Sequence, residues 1–116
     1  MNQAARRGDI WIVDWSPARG SEQAGMRPAL VVQTDAANLN PRYPNVIVLA
    51  ISTKGKSVPF HVSINPSQES GLKETSFVKC EQVLTISKSR LNGRIGSLNE
   101  RQLREVEKGL RKVLEL

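Results

Sequence analysis

The sequence predicts an α+β, mainly β fold: five or more short, strongly bent strands forming a small barrel or sandwich, with one C-terminal helix packed on it. Three observations carry this. Apolar runs of four to seven residues, rich in Val and Ile, alternate with loops containing Gly and Pro from Ile10 to Leu84. Apolar residues at helical spacing occur only near the C-terminal end. The 116 residues suit one domain over positions 1–116, and a chain of this size buries roughly two thirds of its unfolded surface without staples.

Each element follows from its residues. Gly8-Asp9 lead into Ile10–Val13, a strand expected to be buried on both faces or to sit at a subunit contact. Ser16–Pro28 is a long loop broken by Pro17, Gly20, Gly25 and Pro28, and it carries Arg19, Glu22, Gln23 and Arg27. Such loops are usually functional, and this one is expected to be mobile in the free protein. Pro28 restricts Arg27 to extended backbone, which leads into a second strand, Ala29–Gln33. Asp35–Asn45, with Pro41 and Pro44, reads as a loop. Val46–Ser52 is a third strand and Val58–Ile64 a fourth; the short Gly-containing connection between them suggests a hairpin. Asn65–Gly71 is a turn, and Ser76–Leu84 a fifth strand that Thr85–Ser87 extends. Ser97-Leu98-Asn99-Glu100 fits a capping box with the serine as cap. Leu103, Val106, Leu110, Val113 and Leu114 then repeat on one helical face, while Gly109 costs up to about 1 kcal/mol relative to alanine.

Composition narrows the function. Apolar residues are 39% and charged residues 24%, so the chain is neither disordered nor fibrous. No apolar run reaches the ~18 residues of a membrane span, and no signal-like stretch follows Arg6 and Arg7. One cysteine, Cys80, excludes an intramolecular disulfide and a cysteine-based zinc site; one histidine, His61, leaves few soft ligands. A cytoplasmic chain without metal or cofactor is expected. Lys and Arg outnumber Asp and Glu by 17 to 11, a net charge of +6, which suits a polyanionic partner. Two stretches lack acids altogether. Asp35 to Glu69 encloses Arg42, Lys54 and Lys56; Glu81 to Glu100 encloses Lys88, Arg90 and Arg94.

Few residues can carry chemistry. No dinucleotide, P-loop or nucleophile-elbow motif is present. Cys80, inside a strand, reads as a packed residue rather than a nucleophile. His61 has the chemistry of a proton shuttle, against the plainer reading of a surface strand histidine. Arg27 closes a glycine-containing loop at the mouth of a strand. Its guanidinium suits a bidentate clamp on phosphate, or else ties the loop to Glu22 or Asp9. Ser52 and Thr53 end a strand, where hydroxyls donate to phosphate oxygens or simply form a turn.

Three blocks carry a resemblance. Gly8-Asp9-Ile10-Trp11, Gly20-Ser21-Glu22-Gln23-Ala24-Gly25 and Arg27-Pro28-Ala29-Leu30-Val31-Val32 resemble the opening of the MazF/PemK family of toxin ribonucleases. Ala50-Ile51-Ser52-Thr53, before a Lys-Gly turn and Pro59-Phe60, is similar to its second motif, and Glu81-Gln82-Val83 with Thr85-Ile86 to its third. The resemblance spans roughly Arg7 to Leu114. It implies an SH3-like β-barrel with a terminal helix, a homodimer, and metal-free, sequence-specific cleavage of single-stranded RNA to 2′,3′-cyclic phosphate and 5′-hydroxyl ends, which halts translation. It implies as partner an antitoxin of the MazE type with an acidic tail. The family's arginine before proline falls on Arg27, its loop glutamate on Glu22, and its threonine on Ser52, with Thr53 next. A serine keeps the hydroxyl and loses the methyl, so either residue is open for that role. Arg19, Gln23, Lys54, Lys56 and Gln82 are the expected RNA contacts. Trp11, Val13 and the apolar helix face are candidates for the dimer contact or for the core. A non-catalytic binding module on the same barrel would be expected to lose Arg27 or the hydroxyls, which this chain keeps. A gyrase poison of the same fold would depend on other terminal-helix residues.

Overall fold

Residues 4–16 and 25–116 are described by the computed structural model. Six strands, β1 (Asp9–Asp14), β2 (Met26–Val31), β3 (Asn45–Ser52), β4 (His61–Ile64), β5 (Ser76–Ser87) and β6 (Leu91–Ser97), form one antiparallel sheet in the order β4-β5-β3-β2-β1-β6. A single turn, α1 (Asp35–Asn38), sits in the β2–β3 connection, where the sequence reads as loop throughout. The helix α2 (Glu100–Leu114) follows β6 and lies over β4 and β5. Strands β4 and β6 are edges, so hydrogen bonding does not close the sheet into a barrel among the described residues.

The unbroken apolar runs are explained by cores on both faces of the sheet. Side chains alternate between faces along a strand. Ile10, Leu30, Leu49, Ile51, Val78 and Cys80 point to one face and are sealed by Val106 of α2. Trp11, Val13, Ala29, Val31, Val46 and Val48 form a second core on the other, joined by Trp15, Ile86 and Leu91. Trp11 and Val13 are therefore core residues rather than a surface for a second subunit.

The expected hairpin, the start of the fourth strand and the helix cap are corrected, while a sixth strand fits the expected five or more. The third and fourth predicted strands do not form a hairpin. β5 lies between them, pairing with β3 from Phe77 to Ser87 and with β4 from Ser76 to Lys79. β3 is buried at almost every position and needs a neighbour on each side, whereas Val62 and Ile64 alternate with the exposed Ser63 as an edge strand does. The fourth strand is accordingly shorter than expected, starting at His61. β6 is an additional strand: Leu-Asn-Gly-Arg-Ile-Gly-Ser lacks alternation, and its pairing with β1 is interrupted by two register shifts. The cap of α2 is Asn99, not Ser97. Asn99 Oδ1 accepts from the Gln102 amide at 2.8 Å, and Gln102 Oε1 accepts from the Asn99 amide at 2.9 Å. Ser97 is still strand, its amide donating to Glu69 O.

The helix face is close to the prediction. Val106 is fully buried and Leu110 and Val113 pack on the core, but Leu114 is half exposed. The N-terminal segment is fastened to the helix by the Arg7–Glu107 ion pair at 2.9 Å. The Arg7 amide also donates to Asp35 Oδ1 at 2.7 Å. That bond, and a second from the Asn38 side chain, hold the Asp35 carboxyl below the usual aspartate range.

Candidate active site

The β2–β3 register brings two of the expected site residues onto one face of the sheet. Ala29 faces Ala50, Leu30 faces Leu49 and Val31 faces Val48. The ladder ends at Ala29 and Ala50; by alternation along each strand, Arg27, two residues before Ala29, and Ser52, two after Ala50, lie on the same face of the sheet. On the far side Ser52 pairs with Phe77, and Phe77 with Ser63. One row thus carries Ser52, Phe77 and Ser63 across three strands, and Arg27 lies on the same face. The neighbouring row on that face ends in Ala50, Lys79 and His61. Arg27 is exposed at the start of β2, where Pro28 keeps the chain extended.

Ser52 and Thr53 differ in their surroundings. Ser52 is half-buried at the end of β3, and its Oγ accepts from the Lys54 amide at 3.1 Å. The hydroxyl is an acceptor in that bond, so its own proton is available for donation. Thr53 lies past the strand end and is exposed.

The connection 53–60 is held down on the same side. Gly55 lies against the Phe77 ring so closely that a methyl group there would overlap it. The Lys56 amide donates to His61 Nδ1 at 3.0 Å, and the His61 amide donates to Val58 O at 3.1 Å. Lys54 and Lys56 themselves are exposed. Between this connection and the sheet lies a pocket of about 470 Å³, with Lys56, Pro59, His61, Ser63 and Phe77 among its walls.

His61 is not the surface histidine of the plainer reading. Its side chain is only 6% exposed, and Nε2 stands 2.6 Å from Glu81 Oε2. Cys80, next to Glu81, is wholly buried, and its thiol donates to Val106 O at 3.7 Å. Burial, and after it the Glu81 carboxylate, push the thiol up to about 11, so Cys80 is a packing residue, as its position in the sequence suggests.

Other expected residues stand differently. Gln82 is half-buried in β5, where the pairing with β3 shifts register between Leu49 and Ala50. Arg19, Glu22 and Gln23 lie outside the described residues, as does most of the loop that carries them. The alternative tie from Arg27 to Asp9 does not describe Asp9, whose carboxylate takes the Arg6 amide, Trp11 Nε1 and Arg94 Nε.

The second acid-free stretch is not a basic patch. Lys88 Nζ donates to Ala37 O, Asn38 O and Asn40 O, at 2.9–3.1 Å. Arg90 donates to Asp14 O and Ser16 O, and Arg94 pairs with Asp9 at 3.0 Å. All three charges are used inside the fold.

Phe77, Ser63 and Lys79 are members of the site region that the sequence does not single out, and Glu81 enters the sequence reading as part of the third motif. The alternation of Phe77, Val78 and Lys79 puts the first and third on one face, but which strand lies beside them is not legible without the β3–β5 pairing.

Comparison with known proteins gives the arrangement its context. Residues 6–114 match the family model described as PemK-like, MazF-like toxin of type II toxin–antitoxin system. Endoribonuclease MazF of Staphylococcus saprophyticus is 38% identical over 109 residues, covering 90% of this chain and 87% of that one. Among solved structures, a mycobacterial endoribonuclease in complex with its cognate antitoxin superposes with a TM-score of 0.80 at 23% identity, over 97% of each chain. MazF from Deinococcus radiodurans does so at 0.79 and 22%, over 99% of this chain and 100% of its own. The structural likenesses establish the shared fold. The sequence match along nearly the whole chain establishes the family: this protein belongs to the PemK-like, MazF-like toxins of type II toxin–antitoxin systems.

Proposed function

We propose that this toxin-family chain is an endoribonuclease that cuts single-stranded RNA at a short sequence motif, without a metal, leaving 2′,3′-cyclic phosphate and 5′-hydroxyl ends. The observation that carries the reading is that Arg27 and Ser52, at the ends of the paired strands β2 and β3, share one face of the sheet beside the exposed Lys54 and Lys56. The relative in Staphylococcus saprophyticus bears the name endoribonuclease and supports it.

The reaction asks for three things. The 2′-oxygen loses its proton and attacks phosphorus, the five-coordinate phosphorane is stabilised, and the departing 5′-oxygen gains a proton. Arg27 stabilises the phosphorane, since a guanidinium stays charged and offers paired donors to two oxygens. Ser52, rather than Thr53, donates to a non-bridging oxygen: it shares the face of Arg27, and the Lys54 amide orients it. Glu22 is the proposed base, which spares Arg27 a proton transfer that its high pKa disfavours. Lys54 and Lys56 attract the backbone, with Arg19, Gln23 and Gln82 as the remaining RNA contacts.

The same reading carries the SH3-like barrel of the family, a homodimer, a cytoplasmic setting in which messenger RNA is cut and translation stops, and an acidic MazE-like antitoxin as partner. Support for the partner comes from the mycobacterial neighbour, an endoribonuclease in complex with its cognate antitoxin, and from the net charge of +6.

The test is a digestion of a long RNA of known sequence in excess EDTA, beside Arg27→Ala, with the 5′ ends mapped. Cuts at one recurring motif, absent with the variant, are expected. Binding without cuts in either sample would replace the ribonuclease by a binding module.

A further inference from the structure

The 53–60 connection is tied to the sheet through the His61 imidazole. His61 Nδ1 accepts from the Lys56 amide at 3.0 Å, so that nitrogen carries no proton. The proton of the neutral imidazole is then on Nε2, where it is donated to Glu81 Oε2 at 2.6 Å. The side chain is only 6% exposed. Glu81 thus fixes the tautomer, the tautomer holds the Lys56 amide, and that amide lies between the two lysines of the loop and the close contact of Gly55 with Phe77.

We propose that His61 is a positioning residue. In its neutral Nε2-protonated form it clamps the 53–60 connection, with Lys54 and Lys56, beside Ser52, and a second proton on the ring releases the clamp and weakens RNA binding. A proton on Nδ1 removes the acceptor offered to the Lys56 amide and sets two N–H groups against each other. The charged groups around the ring are Glu81 and Lys79 of β5 and Lys56 of the loop. From α2, Glu105, Lys108, Arg111 and Lys112 line the groove of about 750 Å³ on its other side. His61 is the sole histidine, so a change confined to the imidazole is read on one residue. The clamp's effect on RNA rests on the reading of Lys54 and Lys56 as RNA contacts.

The experiment has two readouts. The first, independent of RNA, is the protection factor of the Lys56 amide against hydrogen exchange, followed by NMR from pH 8 to 5. Protection is expected to fall with a single-proton midpoint in the wild type. It should persist without that midpoint in His61→Asn, whose Oδ1 supplies a non-titrating acceptor, and be low throughout in His61→Phe. The second is cleavage of a short RNA. KM should rise about three- to tenfold on acidification or in His61→Phe, the value of one hydrogen bond, with kcat nearly constant. His61→Asn should hold KM low and flat with pH. Flat Lys56 protection in the wild type would overturn the proposal, as would a wild-type KM in a folded His61→Phe. A fall in kcat at unchanged KM would also overturn it, and would make His61 a proton-transfer group instead. If no chain cuts RNA while Lys56 protection titrates as described, the ribonuclease reading fails and the clamp stands.

Discussion

At the scale of single residues, the proposed chemistry turns on paired donors aimed at one phosphorus. Arg27→Ala is expected to lower kcat by about 100- to 1,000-fold, the usual effect of removing one oxyanion donor. Arg27→Lys keeps the charge but loses the planar fork, so most of that loss should remain. Ser52→Ala should cost at least about tenfold more than Thr53→Ala, because only Ser52 shares the face of Arg27 and is oriented by the Lys54 amide. Single-turnover cleavage of one oligonucleotide by the four variants decides all three comparisons. Cys80 makes a second prediction. Its thiol is pushed up to about 11 by burial and by Glu81. Against an ordinary cysteine near 8.5, the thiolate at neutral pH is then scarcer by more than about a hundredfold. Iodoacetamide at pH 8 should leave the folded chain unmodified and label it fully in urea, as read by intact mass.

At the scale of elements, α2 meets the sheet closely enough to explain a residue that propensity alone disfavours. Gly109 is buried, and a Cβ there would stand 2.7 Å from Cys80 Sγ and 3.4 Å from Phe60 Cα and Pro59 O. Gly109→Ala gains up to about 1 kcal/mol of helix propensity. Separating α2 from β5 should cost more, so a net loss of about 1–2 kcal/mol in urea denaturation is expected. In a double-mutant cycle with Cys80→Ala the two changes should couple favourably, since removing the sulfur relieves the overlap. The same packing shows what the sequence can and cannot reveal. Strands β1 and β3 are legible as unbroken apolar runs and the face of α2 as a helical period, because each signal lies within one segment. The partner of β4 is not, because a short connection with a glycine looks alike whether it turns a hairpin or crosses the end of a third strand. β6 is invisible because bulges and two glycines erase its alternation. In the site, Arg27 and Ser52 are identified by their own motifs. Their placement on one face of the sheet, and the burial of His61 against Glu81, depend on strand order and so on contacts between distant segments.

At the scale of the whole molecule, the net charge of +6 is not spread as a uniform coat. Lys88 binds three carbonyl oxygens around α1, and Arg90 and Arg94 tie β6 and its approach to the β1 region. Those cations hold the far edge of the sheet together, whereas Lys54 and Lys56 flank the proposed cleavage site. Two charge deletions of equal size should therefore act on different quantities. Lys88→Met removes three hydrogen bonds and leaves Asn38 O without its ammonium donor, and is expected to cost about 1–3 kcal/mol of stability. The slope of log affinity for RNA against log salt should be unaffected. Lys54→Ala and Lys56→Ala should leave stability within about 0.5 kcal/mol. Each should reduce that slope by about 0.7, the counterion released per single-strand phosphate contact. Urea denaturation together with RNA binding over a salt series measures both. If Lys88→Met flattened the salt slope instead, the RNA path would run along β6, and the face that carries Arg27 and Ser52 would lose its claim to be where the strand is held.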